Sequence, residues 1–208
     1  MKDLEQRSYC CEVRGEQGDA GGRLVGRPIV YNSRTDIGLF DEIIDAGALD
    51  ATDLRDVRFL VNHDTSKIPL ARSRRNNGNS TMLLTVDSEG LTVNVDLDVE
   101  NNAEARSLYS AVTRGDISGM SFMFSVDGES WDDLETEHPT RHITKIGTVV
   151  EVSAVTFPAY DATSIQARSK EALENARSAL ESARQQEAKP VDTGLELLKL
   201  KTKILGGK

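Results

Sequence analysis

Leu91-Thr92-Val93-Asn94-Val95-Asp96-Leu97-Asp98-Val99 alternates apolar and polar residues without interruption. Successive side chains of a strand point to opposite faces, so this stretch predicts a β-strand with one face in a core and the other toward water. Just before it, residues 81–86 read as a second strand, and Asp87-Ser88-Glu89-Gly90 ends on the glycine that suits a hairpin turn. Further strand patterns flank this hairpin on both sides. Residues 23–31 (RLVGRPIVY) and 57–61 predict earlier strands, and residues 117–126 and 147–157 predict later ones, the last dense in valine. One helix interrupts them. Asn101 or Asn102 can cap it, Glu104 puts a carboxylate in its first turn, and Ala105, Leu108, Tyr109 and Val112 form one apolar face before Gly115 stops it. The expected class is mainly β with helices, α+β.

The composition bounds the function. The 208 residues can bury a core of ordinary domain size, and no apolar run approaches the roughly 18–20 residues of a membrane helix. The first residues hold no apolar stretch of signal-peptide type. A net charge of −9 argues against nucleic acid as a partner. Cys10 and Cys11 are neighbours, which suits neither a disulfide nor a zinc site, so a reducing cytoplasm is expected. Near residue 167 the composition changes. Residues 168–208 carry nine Lys/Arg and six Asp/Glu, a balance of +3, which leaves −12 for residues 1–167. We expect an acidic globular body over 1–167 and a helical tail over 168–208. The tail has one helix over 169–186, a break at Pro190 and a second apolar-striped helix over 195–205.

Three segments carry side chains with chemistry. His63 follows Phe59-Leu60-Val61-Asn62 at the end of an apolar strand, where it can project into a cleft or simply bond to Asp64. In Gly115-Asp116-Ile117-Ser118-Gly119-Met120-Ser121-Phe122-Met123-Phe124, alternation puts Met120, Phe122 and Phe124 on one face and Ser121 and Met123 on the other. A serine becomes a nucleophile only when a base takes its proton, and the segment is not the Gly-x-Ser-x-Gly elbow of the hydrolases. Glu151 lies inside a valine-rich strand. It is either an edge charge or the partner of a histidine that must hold one tautomer. His138 and His142 are four apart, but Pro139 and the polar context favour a loop over a metal site. Asp132-Asp133 reads as a solvated turn.

In this order, the segments resemble the prohead protease family of tailed phages over residues 7–165. The resemblance rests on Gly26-Arg27-Pro28-Ile29-Val30-Tyr31-Asn32-Ser33, Phe40-Asp41-Glu42-Ile43-Ile44-Asp45-Ala46-Gly47-Ala48-Leu49, Asn62-His63-Asp64, Gly115 to Phe122, and Glu151-Val152-Ser153-Ala154-Val155-Thr156-Phe157-Pro158-Ala159-Tyr160. It implies a serine endopeptidase whose fold is similar to the herpesvirus assemblins, a closed β-barrel flanked by helices. His63 would be the general base, Ser121 the nucleophile and Glu151 the third member, where the herpesvirus enzymes use a second histidine. His142 is the other candidate for that third place. Two positions depart from the family pattern: Leu70-Ala71-Arg72 stands where Leu-Gly-Arg is usual, and Met123 where glycine is common.

The resemblance further implies scaffold and major capsid protein as substrates, with cleavage of the protease itself. The enzyme would act inside the prohead within the bacterial host cytoplasm, as a homo-oligomer, with a dimer as one form by family analogy. It implies no cofactor, metal, nucleic acid or membrane. The rival expectation is a non-catalytic scaffolding or capsid-assembly protein on the same fold.

Overall fold

A computed structural model describes residues 4–9, 13–17, 21–157 and 162–187. The adjacent cysteines, Pro190 and the second tail helix lie outside these residues. The chain divides into two compact units, 1–170 and 171–208.

The first unit is mainly β, in two sheets. The smaller has four antiparallel strands in the order β2 (Val13–Glu16), β3 (Gly21–Val30), β9 (Gly90–Asp98) and β8 (Met82–Asp87). The alternating stretch is β9. Leu91, Val93, Val95 and Leu97 are fully buried in the core, while Thr92, Asn94 and Asp96 are half-buried. The turn into β9 requires glycine at position 90. Its φ is +140°, and a Cβ there would stand 2.1 Å from the Ile29 carbonyl oxygen. Asp87 fastens the same turn by accepting from the Glu89 and Gly90 amides, and Arg27 grips its carboxylate with two N–H groups. Pro28 sits inside β3 although proline cannot donate to a ladder. It falls where the β3–β9 register breaks, between Gly26 and Ile29.

The larger sheet has seven strands and is built on the long hairpin of β10 (Gly119–Asp132) and β11 (Thr140–Val155). β1 (Leu4–Tyr9) pairs antiparallel with β10, Ser8 lying opposite Ser121. On its other side β11 takes two parallel partners. β5 (Asp41–Ile44) runs beside Thr140–Ile143, and β6 (Arg58–Val61) runs beside Glu151–Ala154. The two-residue strands β4 (Thr35–Asp36) and β7 (Ala71–Arg72) complete the sheet. Among the described residues no strand pair closes either sheet, so the expected closed barrel is not found; the strands form two sheets sharing one core.

The helix α1 (Ala103–Thr113) starts where a cap was expected. The Asn102 side chain accepts from the Glu104 and Ala105 amides, and Ala105, Leu108 and Val112 are its buried face. α2 (Ala162–Glu187) is rich in alanine, glutamate and arginine.

Candidate active site

The end of β6 delivers His63. Asn62 and His63 both adopt left-handed backbone, with φ of 51° and 58°, which turns the chain sharply out of the strand. Asparagine tolerates this and histidine rarely adopts it, so the surroundings must hold it. They do so through Asn62. Its amide donates to the Ala154 carbonyl at 2.9 Å, its side-chain N–H donates to Thr156 Oγ1 at 3.1 Å, and its Oδ1 accepts the Thr156 amide at 2.9 Å. Asp64 does not bind His63; its carboxylate accepts from the Ser66 amide and hydroxyl instead.

β10 and β11 bring the other two groups to the imidazole. Ser121 Oγ lies 2.6 Å from His63 Nε2, and Glu151 Oε1 meets His63 Nδ1. Hydroxyl, imidazole and carboxylate are thus joined in series from three parts of the chain 30 to 88 positions apart. The His63 side chain is 11% exposed and that of Glu151 3%. Glu151 is no edge charge, because β11 lies between β10 and β6. Next to it the β10–β11 register shifts, pairing Met123 with Glu151 but Phe124 with Val149, a bulge of the kind that re-aims a side chain. Met120, Phe122 and Phe124 point into the core on the opposite face from Ser121, as alternation predicts.

Ser121 is itself fully buried. Its hydroxyl is 2.8 Å from the Arg7 carbonyl oxygen on β1, and it accepts from the Ser8 hydroxyl at 2.9 Å. A buried charge network fixes β1 in this position. Arg7 binds Glu42 with Nε and Nη2 at 2.6 and 2.7 Å, and Arg141 reaches Glu5, Glu42 and Glu129. These five residues tie β1, β5, β10 and β11 together. Burial alone would lower the Arg141 guanidinium, but Glu5, Glu42 and Glu129 together push it up. Burial alone would raise the Glu5 carboxyl, yet hydrogen bonds and charge from Arg141 and Arg7 outweigh it and hold the group below its usual value of 4.5.

A cavity of about 520 Å³ opens beside the His63 turn. Asn62 and Asp64, the chain neighbours of that residue, line it together with Leu60, Leu70, Ala111 of α1 and Ile117. Ile68, also on its wall, is 87% exposed.

The remaining histidines are elsewhere. Thr140 to His142 are the start of β11 and not the expected loop, because they pair in parallel with β5. His142 Nδ1 is 2.8 Å from Asp45, at the far end of β11 from Glu151, so it is not the third member of this arrangement. His138 Nε2 lies 3.3 Å from Asp41. Among the described residues Asp36, Asp41 and His138 are close enough to share a metal ion, but Arg34 already donates to Asp41 at 2.9 Å. The residues not foreseen are Arg7, Ser8 and Ser153. A hydroxyl or a charge in a strand carries no local signal of what faces it, and only the Ser153 position, two after Glu151 on the same face, was within reach of pattern reading.

A family model described as caudovirus prohead serine protease matches residues 10–178. The chain belongs to that family. Its members are serine proteases of the phage prohead, and His63, Ser121 and Glu151 all lie within the matched span. Among solved structures, the bacteriophage T4 capsid assembly protease gp21 aligns with 74% of this chain and 99% of its own, at 11% identity and a TM-score of 0.35. No curated protein matches the chain. No helix among the described residues is long and apolar enough to cross a membrane.

Proposed function

We propose that the chain is a serine endopeptidase of prohead maturation with Ser121 as nucleophile, His63 as general base and Glu151 as the carboxylate that orients the base. The observation that carries this reading is the serial contact of Ser121, His63 and Glu151 in a chain of the prohead protease family. Ser121 Oγ attacks the scissile carbonyl carbon as its proton passes to His63 Nε2. The C–N bond then breaks as that proton moves to the leaving amine, and water repeats the sequence on the acyl-enzyme. Glu151 keeps the Nδ1 proton in place and balances the imidazolium charge. The substrates are the scaffold and major capsid protein of the immature shell, and the chain itself. The cavity beside His63, lined by apolar residues together with Asp64, Lys67 and Glu104, receives a side chain of the substrate. Residues 1–167 carry the activity, and residues 168–208 are a docking segment that recruits the enzyme, as a homo-oligomer, to the prohead.

The burial of Ser121 beneath β1 sets a condition. A substrate carbonyl can reach Oγ only where the Arg7 carbonyl and Ser8 hydroxyl now lie, so β1 must yield at that point. The same burial favours a second reading, a capsid-assembly protein that keeps the triad without using it. Co-expression with the shell protein followed by mass spectrometry separates the two. The first reading requires defined cleavage products that vanish with Ser121→Ala; intact shell protein in both samples supports the second.

A further inference from the structure

Building on the triad reading, we propose that Ser153 is a positioning residue that sets the geometry between Glu151 and His63. Its hydroxyl touches both partners of the pair. It donates to Glu151 Oε2 at 2.7 Å and accepts the His63 backbone amide at 3.2 Å. The direction of each bond follows from the groups involved. A carboxylate oxygen accepts and a backbone N–H donates, so the single hydroxyl proton goes to Glu151 and a lone pair goes to His63. Ser153 is fully buried, and water does not compete for either bond.

The backbone explains why such a group is needed. Asn62 continues the β6–β11 ladder by donating to the Ala154 carbonyl, but His63 has turned into the left-handed region and its amide leaves the ladder. A buried amide without a partner is costly, and the Ser153 hydroxyl supplies one. Ser153 is also opposite Ser121 in the β10–β11 register and shares its face with Glu151. One side chain therefore links the strand that bears the carboxylate, the turn that bears the base, and the position facing the nucleophile. Glu151 has three rotatable side-chain bonds. With Oε2 held by Ser153, Oε1 is left aimed at Nδ1. Without that hydroxyl the carboxylate and the turn lose their shared anchor, and Nε2 drifts relative to Ser121 Oγ.

The test compares wild type with Ser153→Ala, Ser153→Thr and Ser153→Val in the full chain. A fluorophosphonate probe reports nucleophile reactivity without any assumption about the natural substrate, and the His63 Nδ1–H proton resonance reports the placement of the imidazole without any catalysis. Thr and Val have nearly the same bulk and differ by the hydroxyl, so melting temperatures of this pair control for overpacking. We expect Ser153→Ala and Ser153→Val to label about 10²-fold more slowly, the loss typical of a misplaced catalytic group, with the Nδ1–H resonance shifted or broadened. Ser153→Thr should stay near wild type in both readouts. Wild-type labelling rates and an unmoved resonance in Ser153→Ala and Ser153→Val would overturn the proposal while leaving the triad intact. A folded wild type that the probe does not label refutes the protease reading instead, and the resonance alone then decides whether Ser153 sets the imidazole.

Discussion

At the scale of single residues, chemistry depends on what each side chain faces. Ser118 and Ser121 belong to one short motif, yet Ser118 is exposed before β10 begins, whereas Ser121 is buried against His63. Ser118→Ala is therefore expected to keep cleavage within a few-fold of wild type. Glu151→Gln keeps the shape and removes the charge. Its carboxamide can donate to Nδ1, which selects the tautomer with a proton on Nε2, and that nitrogen cannot then accept from Ser121. The expected loss in kcat is about 10⁴-fold, by analogy with the same change in a protease triad. Steady-state rates on the shell protein measure it, and a loss below tenfold would remove Glu151 from the triad.

At the scale of elements, two pieces of secondary structure frame the site. α1 forms one wall of the cavity and depends on its Asn102 cap. Asn102→Ala should lower stability by about 1 kcal/mol, read as a lower melting temperature. β1 is the cover over Ser121. Gln6 and Met123 are directly opposite on β1 and β10, at a spacing that a disulfide can bridge. With Cys10 and Cys11 replaced by serine, a Gln6→Cys, Met123→Cys pair should be inactive when oxidised and recover on reduction. Full activity in the oxidised protein would show that substrate reaches Ser121 without movement of β1.

At the scale of the molecule, a charge network built on the buried Arg7, Glu42 and Arg141, with Glu5 half-buried and Glu129 at its exposed edge, holds four strands in place and gives stability a pH dependence. The Glu5 carboxyl is held below its ordinary value by Arg141 and Arg7. A depressed carboxyl stabilises the fold above its unfolded value, and this contribution is lost as pH falls through the lowered one. Thermal melts should therefore show stability declining as the medium is acidified below about pH 4.5, and Glu5→Gln should weaken that dependence. Glu42→Gln removes the carboxylate that Arg7 and Arg141 share but leaves both bound to Glu5, so it is expected to destabilise the fold by less than the roughly 3–5 kcal/mol of breaking an isolated buried pair, read as a lower melting temperature. Truncation after Ala167 tests the docking segment. Residues 1–167 should melt cooperatively and react with a fluorophosphonate, yet fail to enter proheads. Loss of the melting transition would assign the tail to the fold.

Features that depend on neighbours along the chain were legible before any fold was known. Residues 91–99 announced a half-buried strand because alternation is a local property, Asp87 to Gly90 announced the turn because glycine suits a hairpin turn between two strand patterns, and Asn102 and Gly115 marked the limits of α1. Motif order was enough to name His63, Ser121 and Glu151 as candidates, since a family resemblance compares patterns and needs no coordinates, and the structure brings their side chains into contact. Features that depend on pairing between distant residues emerged with the folded chain. β1, β5 and β7 are too short or too polar to stand out, and they exist because β10, β11 and β6 offer them free edges. Nothing local separates Arg7, Glu42 and Arg141 from the chain's other charged residues, and it is the sheet register that stacks them in the interior. The same register placed Ser153 between His63 and Glu151, laid Ser8 over Ser121 and carried His142 to the opposite end of β11. Strand register is a long-range property, set by which strand lies beside which, and no window of sequence contains it.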